Sequence, residues 1–93
     1  LTPPDYEKAL TLPRTLKALA YLIENNPREE ALAKCESQIR EAVNNEESWE
    51  YLELLDAETL EPINRNTRIF ALLGAFQVGK TRLIDNRLVS SHD

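Results

Sequence analysis

The chain has 93 residues, 42% of them hydrophobic and 29% charged, with a formal net charge of −5; this suits one small globular domain and excludes both a disordered tail and a membrane span, which needs about 18 consecutive apolar residues. Cys35 is the single cysteine and His92 the single histidine, which rules out an intrachain disulfide scaffold and a zinc enzyme. Residues 1–46 carry six basic and eight acidic groups, 47–62 none and six, and 63–93 five and two; an acidic chain with its positive charge at one end is a poor nucleic-acid binder, although the basic last third can meet one phosphate group.

Thr2-Pro3-Pro4-Asp5 is a helix start, with a capping hydroxyl, prolines in the first turn and an acid at the positive end of the dipole. Leu12-Pro13 then interrupts, because proline lacks the amide for a mid-helix bond. The reading is a short helix over about 3–10 and a second over about 13–24, with Leu12, Leu16, Leu19, Ala20 and Ile23 on one stripe. Asn25-Asn26-Pro27 stops the second helix and starts a third: Asn26 caps, Pro27 takes the first helical position and Glu29 completes a capping box. This helix runs to about Val43. Its apolar positions Leu32, Cys35, Ile39 and Ala42 step by three and four, which places Cys35 in the buried seam as a core thiol rather than a reactive one.

After the polar break at residues 44–47 the period becomes extended. Ser48–Leu55 reads as a first strand, with Trp49, Tyr51, Glu53 and Leu55 alternating against Glu50, Leu52 and Leu54. Residues 56–67 form a loop, and Glu50, Glu53, Asp56, Glu58 and Glu61 read as a solvated acidic edge. A second strand over about Arg68–Phe76 and a third over about Thr81–Val89 make a hairpin through Val78-Gly79-Lys80. The fold class is therefore α+β: two or three N-terminal helices packed on a three-stranded antiparallel β-meander with the middle strand central. That strand is apolar on both faces, and helices cover only one face of so small a sheet. The other is covered either by something absent from this chain or by the first helix or C-terminal tail.

Gly74-Ala75-Phe76-Gln77-Val78-Gly79-Lys80-Thr81 satisfies the string G-x-x-x-x-G-K-T of a phosphate-binding loop. Its surroundings do not. Twelve residues follow Thr81, too few for a nucleotide domain, and they alternate like a strand where a helix is required. Phe76 and Val78 are side chains that a sheet buries and a phosphate cradle does not favour.

Trp49-Glu50-Tyr51-Leu52-Glu53-Leu54-Leu55-Asp56-Ala57-Glu58-Thr59-Leu60-Glu61-Pro62 and Val78-Gly79-Lys80-Thr81-Arg82-Leu83-Ile84-Asp85-Asn86 resemble the "Y-L-E-L-x-D-x-x-T-L-E-P" and "G-x-x-R-L-I-D-N" stretches in the C-terminal domain of the pantothenate synthetase (pantoate β-alanine ligase) family. Leu1-Thr2-Pro3-Pro4 and the leucine-rich helix after it are similar to that domain's opening. The resemblance implies residues 1–93 as a single C-terminal lid domain of a two-domain cytoplasmic ligase. It implies a parent that adenylates pantoate with ATP and Mg²⁺, forms an amide with β-alanine and works as a homodimer. The family's catalytic motifs lie in an N-terminal Rossmann-like domain and are not among these residues; His92 does not stand in for them. The start at Leu1, the lack of methionine and the lack of disulfide pairing fit a piece of a longer cytoplasmic protein with no secretory signal at its start.

On this reading no catalytic or metal-binding residue lies in the chain. Arg82, and second Lys80, are the candidates for the ATP side of a closing lid, and Asp85 and Asn86 are candidates for structural or junction roles. Strand alternation places Arg82 and Asn86 on one face beside Ile84, with Asp85 and Arg87 on the other. Neither nucleic acid nor membrane is expected as a partner. The alternative reading is a non-catalytic domain whose uncovered sheet face docks another protein.

Overall fold

The computed structural model describes residues 1–91. Among the described residues the chain forms α1 (Pro3–Ala9), α2 (Thr11–Asn25), α3 (Arg28–Asn45), β1 (Trp49–Asp56), β2 (Ile69–Val78) and β3 (Thr81–Ser90). The strands make one antiparallel sheet in the order β1-β2-β3, the expected α+β meander with its middle strand central.

Of the three helix starts, only that of α1 carries a side-chain cap. Thr2 accepts the Asp5 amide at 3.2 Å and starts α1. The break falls at Leu10, and α2 begins at Thr11. Pro13 is thus the third residue of α2, inside the first turn, where amides have no intrahelical partner to lose. The expected interruption at Leu12-Pro13 is corrected to Leu10. The Asn26 capping box is also corrected. Its side chain donates back to the Leu22 carbonyl at 2.9 Å and accepts from Lys34 at 3.1 Å. Asn26 closes α2, and Pro27 precedes α3 without any side-chain cap. α3 runs two residues beyond Val43.

The stripe predicted on α2 is the core: Leu12, Leu16, Leu19, Ala20 and Ile23 are all buried. They pack with Cys35 of α3 against Trp49 and Leu52 of β1, Phe70, Leu72, Phe76 and Val78 of β2, and Val89 of β3. Trp49 meets Phe76 edge to face, with centroids 4.8 Å apart, the arrangement favoured by the ring quadrupoles.

One strand assignment is overturned by a bulge. Trp49 pairs with Phe76 and Tyr51 with Ala75, so Glu50 is an extra residue on β1. The bulge shifts the alternation by one: Trp49 shares the helix-facing side with Leu52, Leu54 and Asp56, and not with Tyr51, Glu53 and Leu55. The register of β2 with β3 is unbroken from Ile69↔Ser90 to Val78↔Thr81, and the hairpin loop is Gly79-Lys80 alone. Gly79 has φ +58°, the positive value that the first position of a II′ turn requires.

All three helices lie on one face of the sheet. The opposite face presents Ile69, Leu73, Ile84 and Leu88, with Ile84 and Leu88 59% and 64% exposed. No helix or loop among the described residues covers it. α1 packs through Ala9 on the helix side, so the first of the proposed internal covers is excluded. A cover by the C-terminal tail beyond Ser91 lies outside the described residues. The accessible surface is 6087 Å², somewhat above the roughly 5,500 Å² expected for a compact chain of this length.

Candidate functional site

The nucleotide-like string does not form a phosphate loop. Gly74 to Val78 lie inside β2, Gly79 and Lys80 form the hairpin loop, and Thr81 opens β3. Gly74 serves packing: a β-carbon there would stand 2.7 Å from Leu12 Cδ1 and 3.2 Å from Trp49 Cζ3. The missing side chain lets α2 approach the centre of the sheet.

The four candidate residues do not converge. Lys80 is exposed at the hairpin tip, and among the described residues it makes neither hydrogen bond nor ion pair. Arg82, two residues on, lies on the bare face. Its Nε donates to Glu50 Oε1 at 2.7 Å, and this carboxylate raises the guanidinium pKa further above its ordinary value. The Glu50 bulge thus positions Arg82 across the central strand. Asn86 is exposed on the same bare face, opposite Leu73. Asp85 is half-buried on the helix side, opposite Gly74, and accepts the Asn86 amide at 2.8 Å. Lys80 and Arg82 share one end of the sheet; Asp85 and Asn86 occupy its middle on opposite faces. His92 lies outside the described residues.

The acidic stretch is not a uniform solvated edge. Asp56 is buried, and its Oδ1 accepts the amides of Glu58 and Thr59 at 2.8 and 3.1 Å, while its Oδ2 accepts the Thr67 hydroxyl at 2.6 Å. The Thr67 bond first, and the Glu58 amide next, hold its pKa below the ordinary carboxylate value. The D-x-x-T part of the string is therefore a turn built around one carboxylate.

Arg28 is the residue that sequence reasoning missed. Its guanidinium donates to the carbonyls of Thr67 and Asn64, both at 2.6 Å, and stacks over Phe70 at 5.2 Å. It ties the first turn of α3 to the end of the 57–68 loop. A faint signal was present: a cation at a helix N-terminus opposes the dipole, which points to a partner elsewhere.

Two of the open clefts among the described residues flank α3. One, of about 620 Å³, lies between α2 and α3 and is lined by Thr11, Arg14, Thr15, Gln38 and Asn45 among others. The other, of about 590 Å³, lies between α3 and β1 and is lined largely by Leu32, Ile39, Leu52, Leu54 and Ile63. Neither contains Lys80, Arg82, Asp85 or Asn86. Among the described residues no three His, Cys, Asp or Glu side chains are grouped to hold a metal ion, and no helix is long and apolar enough to cross a membrane.

Comparison with known proteins gives this geometry its setting. Residues 1–88 match the family described as pantoate-beta-alanine ligase. The chain is 36% identical to the pantothenate synthetase of Thermotoga neapolitana, aligning 96% of its own length with 32% of that protein. It is 38% identical to that of Rhizorhabdus wittichii over 96% of the chain and 31% of the relative. The bifunctional pantoate ligase/cytidylate kinase of Gloeobacter violaceus matches at 34% identity, with 18% of its length covered. The chain thus spans about a third of the pantothenate synthetases it matches. The two strings that mark the strands, the turn around Asp56 and the match over residues 1–88 agree: the chain belongs to the pantoate-beta-alanine ligase family.

Proposed function

We propose that residues 1–93 are the C-terminal lid of a pantothenate synthetase, which condenses pantoate with β-alanine at the expense of ATP through a pantoyl-adenylate. The family match over a third of the relatives' length supports a parent whose remaining two-thirds carry the chemistry in a domain preceding this one. The lid's part is to exclude water from the acyl adenylate, which would otherwise hydrolyse, and to bring positive charge to the phosphates. The parent is cytoplasmic and homodimeric on this reading, and the 93-residue chain alone is inactive.

The observation that carries the reading is the hairpin tip. A two-residue turn between paired strands is stiff, and it presents Lys80 with its charge unshared among the described residues. Such a lysine acts as a point charge toward a phosphate. Arg82 stands beside it, already bonded to Glu50, so it aligns the wall more than it contacts ligand. The residues present fit one phosphate contact and do not fit a magnesium site, so no step is assigned to the metal here.

The test is steady-state kinetics of the full-length enzyme. Lys80→Ala raises the KM for ATP about ten-fold or more, the factor that corresponds to the ~1.5–3 kcal/mol of a hydrogen bond to a charged group, and Arg82→Ala does so less. Unchanged kcat and KM in both variants would remove the lid assignment. Pyrophosphate release by the isolated chain, given pantoate, β-alanine and Mg-ATP, would remove the assignment of the chemistry to another domain. A second reading, a non-catalytic docking module, draws on the bare face around Ile84 and Leu88. It requires that full-length enzyme lose no activity when Ile84→Ser and Leu88→Ser are combined.

A further inference from the structure

The 57–68 loop is tied down at both ends. Asp56 Oδ1 accepts the amides of Glu58 and Thr59, and its Oδ2 accepts the Thr67 hydroxyl. Its carbonyl accepts the Leu60 amide at 2.8 Å, and its own amide donates to the Glu61 carbonyl at 3.0 Å. Arg28 holds the other end through the Asn64 and Thr67 carbonyls. What this scaffold displays is a misfit. Among the described residues Leu60 is the one residue other than glycine with a positive φ, +59°. A left-handed backbone brings the β-carbon too close to the following carbonyl oxygen, a cost that glycine does not incur. The leucine side chain does not offset that cost within the domain, because it is 60% exposed and is not among the residues packed against the core. An apolar side chain held in a strained conformation on a rigid turn, and facing solvent, has its use outside the domain.

We infer that Leu60 is the latch that holds the lid shut, seated in an apolar pocket with a basic rim on the preceding domain of the parent chain. The inference rests on the lid reading above and adds the place at which the lid is held. On that reading the preceding domain joins at Leu1. Asp5, in the first turn of α1, has its carboxylate 3.9 Å from where a β-carbon on Gly79 would stand, so the chain enters beside the hairpin tip that carries Lys80. β1 runs away from that end, with Trp49 opposite Phe76 and Asp56 opposite Phe70, and its length puts the Leu60 turn roughly 20 Å from the entry. A lid joined at one end pivots there, and the contact that best opposes opening lies at the other.

The chain spans about a third of the pantothenate synthetases it matches, so the larger part of such a parent is available to receive the turn. The chemistry of the seat follows from the residues beside Leu60. Glu58 and Glu61 are both exposed, and neither carboxylate makes an ion pair among the described residues. An apolar anchor between two unpaired carboxylates fits an apolar pocket bordered by lysine or arginine. A single leucine is a weak clasp, which suits a lid that opens in every catalytic cycle.

Leu60→Gly separates the latch from the fold, because it relieves the backbone and removes the side chain together. In the 93-residue chain this variant melts at or above the wild-type temperature. The full-length enzyme carrying it leaks when given pantoate and Mg-ATP without β-alanine: water attacks the pantoyl carbonyl of the adenylate, the C–O bond to AMP breaks, and pantoate and AMP are released. The ratio of AMP released in that assay to amide formed when β-alanine is present rises several-fold. Leu60→Met, which keeps a long apolar side chain, holds the ratio near that of the wild type, and Glu58→Lys combined with Glu61→Lys raises it. A Leu60→Gly chain that melts well below the wild type overturns the inference, since the leucine then serves the fold. An unchanged ratio in the full-length Leu60→Gly enzyme also overturns it, and an unchanged ratio in the double lysine variant overturns the basic rim. The lid reading is tested separately: if Lys80→Ala raises the KM for ATP while Leu60→Gly leaves the ratio unchanged, only the latch is lost, and if neither variant changes the kinetics, both are.

Discussion

At the scale of single residues, burial and hydrogen bonding decide more than residue type. Gly74 and Lys80 belong to the same nucleotide-like string, yet one is fixed by what it lacks and the other by what it leaves free. Gly74→Ala would press a methyl group against Leu12 Cδ1 at 2.7 Å. Overpacking of this kind costs about 1–3 kcal/mol, and a urea or thermal melt of the variant should show a loss in that range. Pairing it with Leu12→Ala, which removes the clashing atom, should recover part of the loss relative to Leu12→Ala alone. If Gly74→Ala were neutral, the close approach of α2 to β2 would not need a glycine. Cys35 illustrates the opposite case, a potentially reactive group made inert by place. It is fully buried, its Sγ donates to the Leu19 carbonyl at 3.5 Å, and burial pushes its pKa up to about 11.

At the scale of elements, the helices and strands were largely legible in the sequence because their signals are local. The α2 stripe, the helix start at Thr2 and the glycine of the hairpin each depend on residues within one or two turns. The misreadings share another cause, a choice made by distant partners. Asn26 is equally able to cap forward or backward, and Leu22 and Lys34 drew it backward. Trp49 fell on the wrong face because a bulge leaves little mark in a pattern of alternation, and the Glu50–Arg82 bond that accompanies it spans 32 residues. Arg28 escaped for the same reason, since its acceptors lie 36 and 39 positions away. It also supports an experiment at this scale. Lysine cannot form the planar fork to two carbonyls while stacking on a ring, so Arg28→Lys should release the 57–68 loop with little change in α3. Hydrogen exchange reads this directly: the Thr67 amide, bonded to the Asn64 carbonyl at 3.1 Å, should exchange faster, while the amides of α3 beyond its first turn keep their protection. Loss of about 1.5–3 kcal/mol in global stability on Arg28→Ala would accompany it. Equal exchange in wild type and Arg28→Lys would mean that the Asp56–Thr67 bond holds the loop by itself.

At the scale of the whole molecule, the buried thiol and the bonded carboxylates each add a pH dependence to the stability of the two layers. Asp56 and Glu46 both have pKa values lowered in the folded state from ordinary values of 3.8 and 4.5. The main causes are the Thr67 bond for Asp56 and the Ser48 bonds for Glu46. Below those ordinary values the unfolded chain binds protons that the folded chain still refuses, so stability is present above them and drains away as pH falls through the folded values. Cys35 acts at the other end with the opposite sign. Between its ordinary value of 9.0 and about 11 the unfolded thiol ionises while the buried one does not, so its contribution is whole below 9.0 and is lost as pH rises toward 11. Denaturant melts from acid to alkaline pH should therefore give a plateau with two falling limbs. Asp56→Asn should lower the plateau and flatten the acid limb while leaving the alkaline one in place. Cys35→Ala should flatten the alkaline limb and leave the acid one. The two variants separate the layers of the fold: Asp56 ties the loop at the end of the sheet, and Cys35 lies between α2 and α3. An acid limb unchanged by Asp56→Asn would move the acid sensitivity to Glu46 at the α3–β1 junction, where Lys8 approaches to 3.9 Å and Glu46→Gln would then be the variant that abolishes it.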